Sequence, residues 1–175
     1  MIGVASRFVP IFFGAGYDLV VPLISVIAPI LVIIGTSNVI GKQFLLPTQQ
    51  QGAYTVSIIV GAVVNFVLNM ILIQFFAAIG ASIATVLAEL AVALVQIFYI
   101  RHQLPLRECF KPIFRYFFLG LGMFLIVRSI GKILPKGVIP LCCMIFIGMI
   151  TYVFGLVITK DPMLKMGIAM IKKKK

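Results

Sequence analysis

Between residues 53 and 100 the sequence reads AYTVSIIVGAVVNFVLNMILIQFFAAIGASIATVLAELAVALVQIFYI, and Glu89 is the one charged residue in this stretch. A membrane-spanning helix needs about 20 mostly apolar residues. The run is continuous rather than alternating, and a lone strand would leave backbone groups unpaired in hydrocarbon, so helices are expected. The stretch is long enough for two spans. We place them at residues 53–75 and 78–100, with only Phe76 and Ala77 between them.

Three further stretches of the same character flank this pair, at residues 19–41, 113–134 and 138–159. The composition agrees, since 62% of the 175 residues are apolar, 11% are charged and the mean hydropathy is +1.21. Soluble domains are usually about 45–50% apolar and 25% charged. Few charges remain to cover so much hydrocarbon, so a disordered chain and a compact soluble enzyme are excluded. The sequence predicts an all-α polytopic transmembrane bundle at residues 18–160, with five full spans.

The two ends of the chain differ from these spans. Residues 1–13 are apolar but too short to cross a membrane, so we interpret residues 1–17 as the end of a truncated sixth transmembrane helix and an outer loop. Residues 161–175 form a basic tail. Lys and Arg concentrate in this tail and in residues 101–115, and the positive-inside rule places both on the cytoplasmic side. This pattern accounts for the net charge of +11, and we expect no nucleic-acid partner.

The sequence offers little for catalysis or metal binding. The three cysteines, Cys109, Cys142 and Cys143, have neither disulfide-framework nor metal-site spacing, and His102 is the single histidine. There is no Gly-rich phosphate loop, no Ser/His/Asp set and no pair of carboxylates at a useful spacing. We therefore expect no enzyme, no bound metal and no cofactor.

Polar side chains at the depth of the bilayer centre are the candidate functional residues. Glu89 lies near the middle of the span at 78–100, where an ionisable group costs about 2.5–3.5 kcal/mol on insertion scales. Ser82, Thr85 and Gln96 share its helix face by their spacing. Because of this cost, such a residue is a functional candidate by default.

Asn65 and Asn69 form a matching stripe with Gly61 on the preceding span. The short join makes the two spans antiparallel neighbours and puts the asparagines at a depth similar to that of Glu89. One interpretation is a polar seam facing an internal cavity, with Glu89 as a proton or cation site. The other is packing, in which the acid and the amides hydrogen-bond across the helices. The sequence leaves both open.

Two further residues are candidates on weaker grounds. Arg7 lies about 10 Å below the outer end of its helix, deep enough to face a cavity and contact a substrate phosphate; alternatively, its side chain bends to the lipid headgroups. Pro29, midway along the span at 19–41, removes a backbone hydrogen bond and is a candidate hinge, although membrane helices tolerate proline widely.

The order of these features resembles a known family. FVPIFFGAGY (Phe8–Tyr17) closes one helix, and it is followed by IAPILVIIGTSNVIGKQFLLP (Ile27–Pro47), SIIVGAVVNFVLNMILI (Ser57–Ile73) and IGASIATVLAELAV (Ile79–Val92). This succession is similar to the C-terminal part of bacterial polysaccharide biosynthesis membrane proteins. These are flippases for lipid-linked oligosaccharide repeat units, in the multidrug/oligosaccharidyl-lipid/polysaccharide exporter superfamily.

The resemblance implies a function and a setting. Such proteins move an undecaprenyl-pyrophosphate-linked sugar unit across the bacterial cytoplasmic membrane, for capsule or O-antigen polymers, by alternating access coupled to a proton or sodium gradient. This chain would supply most of one lobe of a MATE-like transporter, and a missing N-terminal lobe or a second chain would close the cavity. Asn65, Asn69 and Glu89 are the positions we expect to face it.

Two other functions fit the same residues. A drug/cation antiporter of the same superfamily also needs a carboxylate within the membrane. A non-transporting scaffold, in which the helices only position an assembly partner, would instead bury Glu89 and the asparagines between helices without access to solvent.

Overall fold

The computed structural model describes residues 2–14, 16–135 and 137–159, with side chains described throughout except at residues 106–112 and 133. Within these residues every regular element is a helix. In chain order they are α1 (Ile2–Phe12), α2 (Val20–Ile27), α3 (Ile30–Asn38), a π-helical segment (Val39–Leu45), α4 (Gln51–Ile100), α5 (Leu106–Ile133) and α6 (Val138–Ile158). The prediction of an all-α chain is confirmed for the described residues.

The described residues divide into two compact units, and the first comprises residues 16–107. It begins with α2 and α3, which are separated by Ala28 and Pro29. Both residues keep right-handed helical dihedrals, but Pro29 has no N–H to donate, so the helical hydrogen-bond ladder is interrupted there. The helix then widens into the π-helical segment, at whose end the Leu46 N–H donates to the Gly41 carbonyl, five residues back, at 3.0 Å.

Helix α4 reverses direction at Ala77. Ala77 has φ 47° and ψ −124°, far from helical values, and this single residue separates a first half (residues 51–76) from a second half (residues 78–100). Residues at about equal distances in sequence before and after Ala77 contact each other: Leu72 with Gly80, Gly61 with Val92, and Ser57 with Gln96. The two halves are therefore antiparallel neighbours, as the short join between the two apolar stretches indicates.

Small residues let the two halves of α4 approach closely. Gly80 lies against the backbone carbonyl of Leu72, and a Cβ atom at Gly80 would overlap with that carbonyl. A Cβ atom at Gly61 would likewise overlap with the side chain of Val92. Small residues at such crossings are typical of helix pairs in membranes, where close packing replaces the hydrophobic effect as the source of association.

The end of the first unit opposite Ala77 is held by apolar and amide contacts. Ile40, Leu45 and Ile100 are buried together and pack against Tyr54 and its neighbours. Beside them, the carboxamides of Gln50 and Gln103 hydrogen-bond to each other in both directions, at 2.7 and 3.0 Å. These contacts fix the two halves of α4 relative to the π-helical segment, which is where the polar side chains described below are found.

Among the described residues, the second compact unit comprises residues 2–14, 108–135 and 137–159. Within it α1 packs against α6. Helices α5 and α6 also meet through glycines, because a Cβ atom at Gly148 would lie 3.1 Å from Val127 and one at Gly131 would lie 2.8 Å from Met144. The order of these pairs along the chain makes α5 and α6 antiparallel.

Among the described residues, four helical stretches are long and apolar enough to cross a membrane: Val20–Leu45, Gln51–Ile100, Ile113–Lys132 and Val138–Ile158. Over its described residues the protein is thus all-helical, with helices of membrane-spanning length. Because Gln51–Ile100 is folded at Ala77, five spans remain our prediction, together with the cytoplasmic orientation. The predicted basic tail, residues 161–175, lies outside the described residues.

The close crossing at Gly80 gives a testable prediction. Gly80→Ala should lower the free energy of unfolding by about 1–3 kcal/mol, since the added methyl group meets a backbone carbonyl that cannot rotate away. Unfolding of the detergent-solubilised protein by a denaturing surfactant measures this change. Gly35→Ala is the matched control, because nothing lies within 4 Å of a Cβ atom there. Equal stability of the two variants would contradict the close crossing.

A polar cleft between α3, the π-helical segment and α4

The first unit contains a cleft of about 350 Å³, near the lower end of the range for small-molecule sites. One wall is α3 with the π-helical segment, and the other two are the halves of α4. Its polar lining residues are Ser37, Asn38, Lys42, Tyr54, Asn65, Thr85, Glu89 and Gln96. The remainder of the lining is apolar or glycine. A polar cleft within otherwise apolar helices is the feature on which a functional argument can be built.

Asn65 and Glu89 line the same cleft. Both side chains are partly exposed, and they project from the two antiparallel halves of α4. Within the part of the chain that the structure describes, the Glu89 carboxylate has no hydrogen bond or ion pair. A carboxylate accepts hydrogen bonds and attracts cations, so an unengaged one in a cleft is available to a ligand.

The other predicted members of the polar seam are placed differently. Asn69 does not line the cleft; its Nδ2 atom donates to both the Oδ1 atom and the backbone carbonyl of Asn65, each at 2.9 Å. Asn69 therefore orients Asn65 from the following helical turn. Ser82 is also outside the cleft, and its hydroxyl donates to the Ala78 carbonyl one turn back. Thr85 lines the cleft while making the same kind of bond, to Ala81.

Gln96 lies in the cleft lining but is only 1% exposed. Its Nε2 atom donates to the Ser57 hydroxyl at 3.2 Å, and that hydroxyl in turn donates to the Tyr54 carbonyl at 2.6 Å. Its Oε1 atom is buried and, among the residues that the structure describes, has no hydrogen-bond partner. Most buried polar atoms in proteins are paired, so this acceptor is an exception that requires an explanation.

Sequence reasoning missed the opposite wall. Ser37, Asn38 and Lys42 come from α3 and the π-helical segment, and none was expected to share a site with Glu89. A signal was present, since Ser37 and Asn38 interrupt an apolar run and Lys42 follows four residues after Asn38. Spacing within one helix cannot show which neighbouring helix it faces, so the cleft became visible only in three dimensions.

Arg7 lies in the second unit, where its guanidinium donates hydrogen bonds to backbone carbonyls at the C-terminal end of α5. The carbonyls are those of Gly131, Leu134 and Pro135, the last two at 2.8 Å. These acceptors belong to the last turn of the helix and to the residues after it, which lack intrahelical partners, and a cation is favourable there. This geometry gives Arg7 a capping role; its contact with a substrate phosphate stays a prediction.

The structure also bears on the predicted hinge and on metal binding. Pro29 lies at the break between α2 and α3 and is exposed. The helical hydrogen-bond ladder is therefore interrupted at the predicted position, and bending of the helix there stays a prediction. Within the described residues, no group of three or more His, Cys, Asp or Glu side chains could hold a metal ion.

Comparison of the chain with protein-family models, with curated proteins and with solved structures gives no match. The resemblance to polysaccharide flippases therefore rests on the quoted residues alone, and function has to be argued from the cleft.

The capping geometry predicts the effect of removing Arg7. Arg7→Met should lower the free energy of unfolding by about 2 kcal/mol, because carbonyls at the end of α5 lose a charged donor. Thermal unfolding in detergent measures the change. Arg128→Met, at an exposed arginine of α5, is the control; it removes a long cation–π contact with Phe124, 5.9 Å from Cζ to the ring centroid, and should lower stability by less than about 1 kcal/mol. A stable Arg7→Met protein that fails only in transport would instead support the phosphate contact.

Proposed function

We propose that this protein is part of a membrane transporter that flips a lipid-linked oligosaccharide across the bacterial cytoplasmic membrane. The observation that supports this most is the cleft in which Asn65 and the unengaged Glu89 carboxylate lie together with Lys42. In this proposal the sugar head occupies a polar path of which the cleft is one part, while the polyprenyl tail stays in lipid. The protein acts as a carrier and performs no covalent chemistry.

The chemistry of the cleft suits a lipid-linked sugar. Amides, hydroxyls and a carboxylate bind sugar hydroxyls, and the Lys42 ammonium suits a pyrophosphate. Ionisable residues within membrane helices usually face the bundle interior or a water-filled cavity and mark substrate or ion pathways. Glu89 is also the group that would carry a coupling proton or sodium ion. A further lobe or a second chain completes the cavity in this proposal, and the C-terminus lies in the cytoplasm.

A drug/cation antiporter is the second candidate, and the free carboxylate of Glu89 favours it equally. The difference lies in the ligand: an organic cation would use Glu89 and be repelled by Lys42, whereas a sugar pyrophosphate would use both. We do not favour a non-transporting scaffold, because that function requires Asn65 and Glu89 to be sealed between helices. Both are partly exposed and line the cleft.

Replacement of Glu89 tests the proposal. In proteoliposomes, Glu89→Gln and Glu89→Ala should each lower translocation of an undecaprenyl-pyrophosphate-linked sugar by about tenfold or more, the loss expected for one hydrogen bond to a charged group. Gln74→Ala is the control, since Gln74 is exposed on α4 and does not line the cleft. Ethidium efflux is measured in parallel. Unchanged sugar translocation in both Glu89 variants would exclude this carboxylate, and loss of dye efflux alone would favour the antiporter.

A further inference from the structure

The buried Oε1 atom of Gln96 points to a ligand-binding subsite at one end of the cleft. Gln96 is almost fully buried, lines the cleft and leaves this one acceptor without a partner. A buried polar atom without a hydrogen bond costs free energy comparable to a lost bond, which a bound donor would recover. Within the described residues this acceptor has no donor, and a donor group that enters this end of the cleft would supply one.

The surroundings of Gln96 hold its carboxamide in one orientation. Its Nε2 atom is engaged by the Ser57 hydroxyl, which is itself fixed on the Tyr54 carbonyl. Gly41 of the π-helical segment faces the same carboxamide, and a Cβ atom there would lie 2.9 Å from Nε2 and 2.8 Å from the Tyr54 ring. The arrangement is therefore a preorganised acceptor, since the amide cannot turn without giving up its bond to Ser57.

The second half of α4 carries a second acceptor on the same face. Glu89 and Gln96 are seven residues apart, which corresponds to two helical turns and about 10 Å along the axis. One small ion cannot contact both groups at that distance. A ligand that uses both must be extended and must carry several hydrogen-bond donors.

Lys42, on the opposite wall, has the complementary chemistry. Its ammonium group only donates hydrogen bonds, and within the described residues it has no hydrogen bond or ion pair. The pyrophosphate diester of a lipid-linked sugar is fully ionised near neutral pH and only accepts hydrogen bonds, so it suits Lys42 and cannot satisfy the Gln96 Oε1 atom. Hydroxyl and acetamido N–H groups are donors, and they suit the α4 wall.

We infer that the α4 wall between Glu89 and Gln96 is a sugar subsite, in which Gln96 Oε1 accepts a hydrogen bond from a hydroxyl or acetamido N–H group of the transported saccharide. This inference rests on the proposed function. It assigns recognition of the saccharide to Gln96 and binding of the phosphate to Lys42. Glu89 takes further hydroxyls of the same saccharide two turns away.

Binding to the full chain in detergent tests this assignment without transport. The probes are N,N′-diacetylchitobiose, maltose, inorganic pyrophosphate and sodium chloride, each titrated separately and followed by isothermal calorimetry. We expect wild-type protein to bind at least one saccharide, and Gln96→Met to bind it about fivefold more weakly, as the loss of one neutral hydrogen bond predicts. Pyrophosphate binding should be unaltered by Gln96→Met.

Three variants separate recognition from folding. Gln96→Glu keeps an oxygen acceptor at the position and should retain saccharide binding, which provides a second measurement if Gln96→Met does not fold. Gln74→Met removes an exposed glutamine of the same helix and should bind as wild type. Ser57→Ala frees the carboxamide to turn and should weaken saccharide binding less than Gln96→Met does.

The inference is overturned if no saccharide binds the wild-type protein, if Gln96→Met binds it as tightly as wild type does, or if sodium ion alone binds in a Gln96-dependent way. These outcomes can be distinguished from failure of the proposed function, because translocation in the Glu89 variants is measured in a different assay. If saccharide binding depends on Gln96 but the protein does not flip the lipid-linked sugar, the sugar subsite is supported and the proposed flippase function is rejected.

Discussion

Polar groups in the hydrocarbon region of a bilayer have no water to bind, and this constraint shapes the first unit of the protein. The two halves of α4 carry amides, hydroxyls and a carboxylate on their facing sides, and these groups have to bond to each other or to share a hydrated space. The structure does both. Asn69 hydrogen-bonds to Asn65, and Gln96 hydrogen-bonds to Ser57. Glu89 instead lines the cleft, without a hydrogen bond to any described residue.

The cleft depends on close packing elsewhere in the same unit. Gly61 and Gly80 bring the halves of α4 together, and Gly41 lets the π-helical segment approach Tyr54 and Gln96. π-Helical turns are frequent at functional sites because they alter the phase of the side chains that follow. Here the segment directs Lys42 towards the cleft that Glu89 lines from α4. The close glycine packing and the π-helical segment thus position the oppositely charged side chains of Lys42 and Glu89 around one cleft.

Much of this fold could be predicted from sequence, because a continuous apolar run forces its backbone into helices. The helical class, the reversal near Phe76 and Ala77, and a polar face that includes Glu89 all follow from length, hydropathy and spacing. The π-helical segment and its packing could not be predicted, since Gly41 lies against Tyr54 and Gln96, which are distant from it in sequence. Spacing alone also groups Asn69 with Asn65 as a cavity residue, whereas in the structure Asn69 does not line the cleft and its amide donates a hydrogen bond to Asn65.

The central claim is that the cleft beside Asn65 is hydrated in the membrane. In a chain whose three cysteines are replaced by serine, Asn65→Cys and Val63→Cys can be treated with a membrane-impermeant maleimide in permeabilised membranes. Val63 is exposed on the same helix, two residues away, and does not line the cleft. Since the thiolate is the reactive form and needs water, we expect Asn65→Cys to react about tenfold faster than Val63→Cys. Equal and negligible labelling at both positions would contradict a hydrated cleft and the transport function built on it.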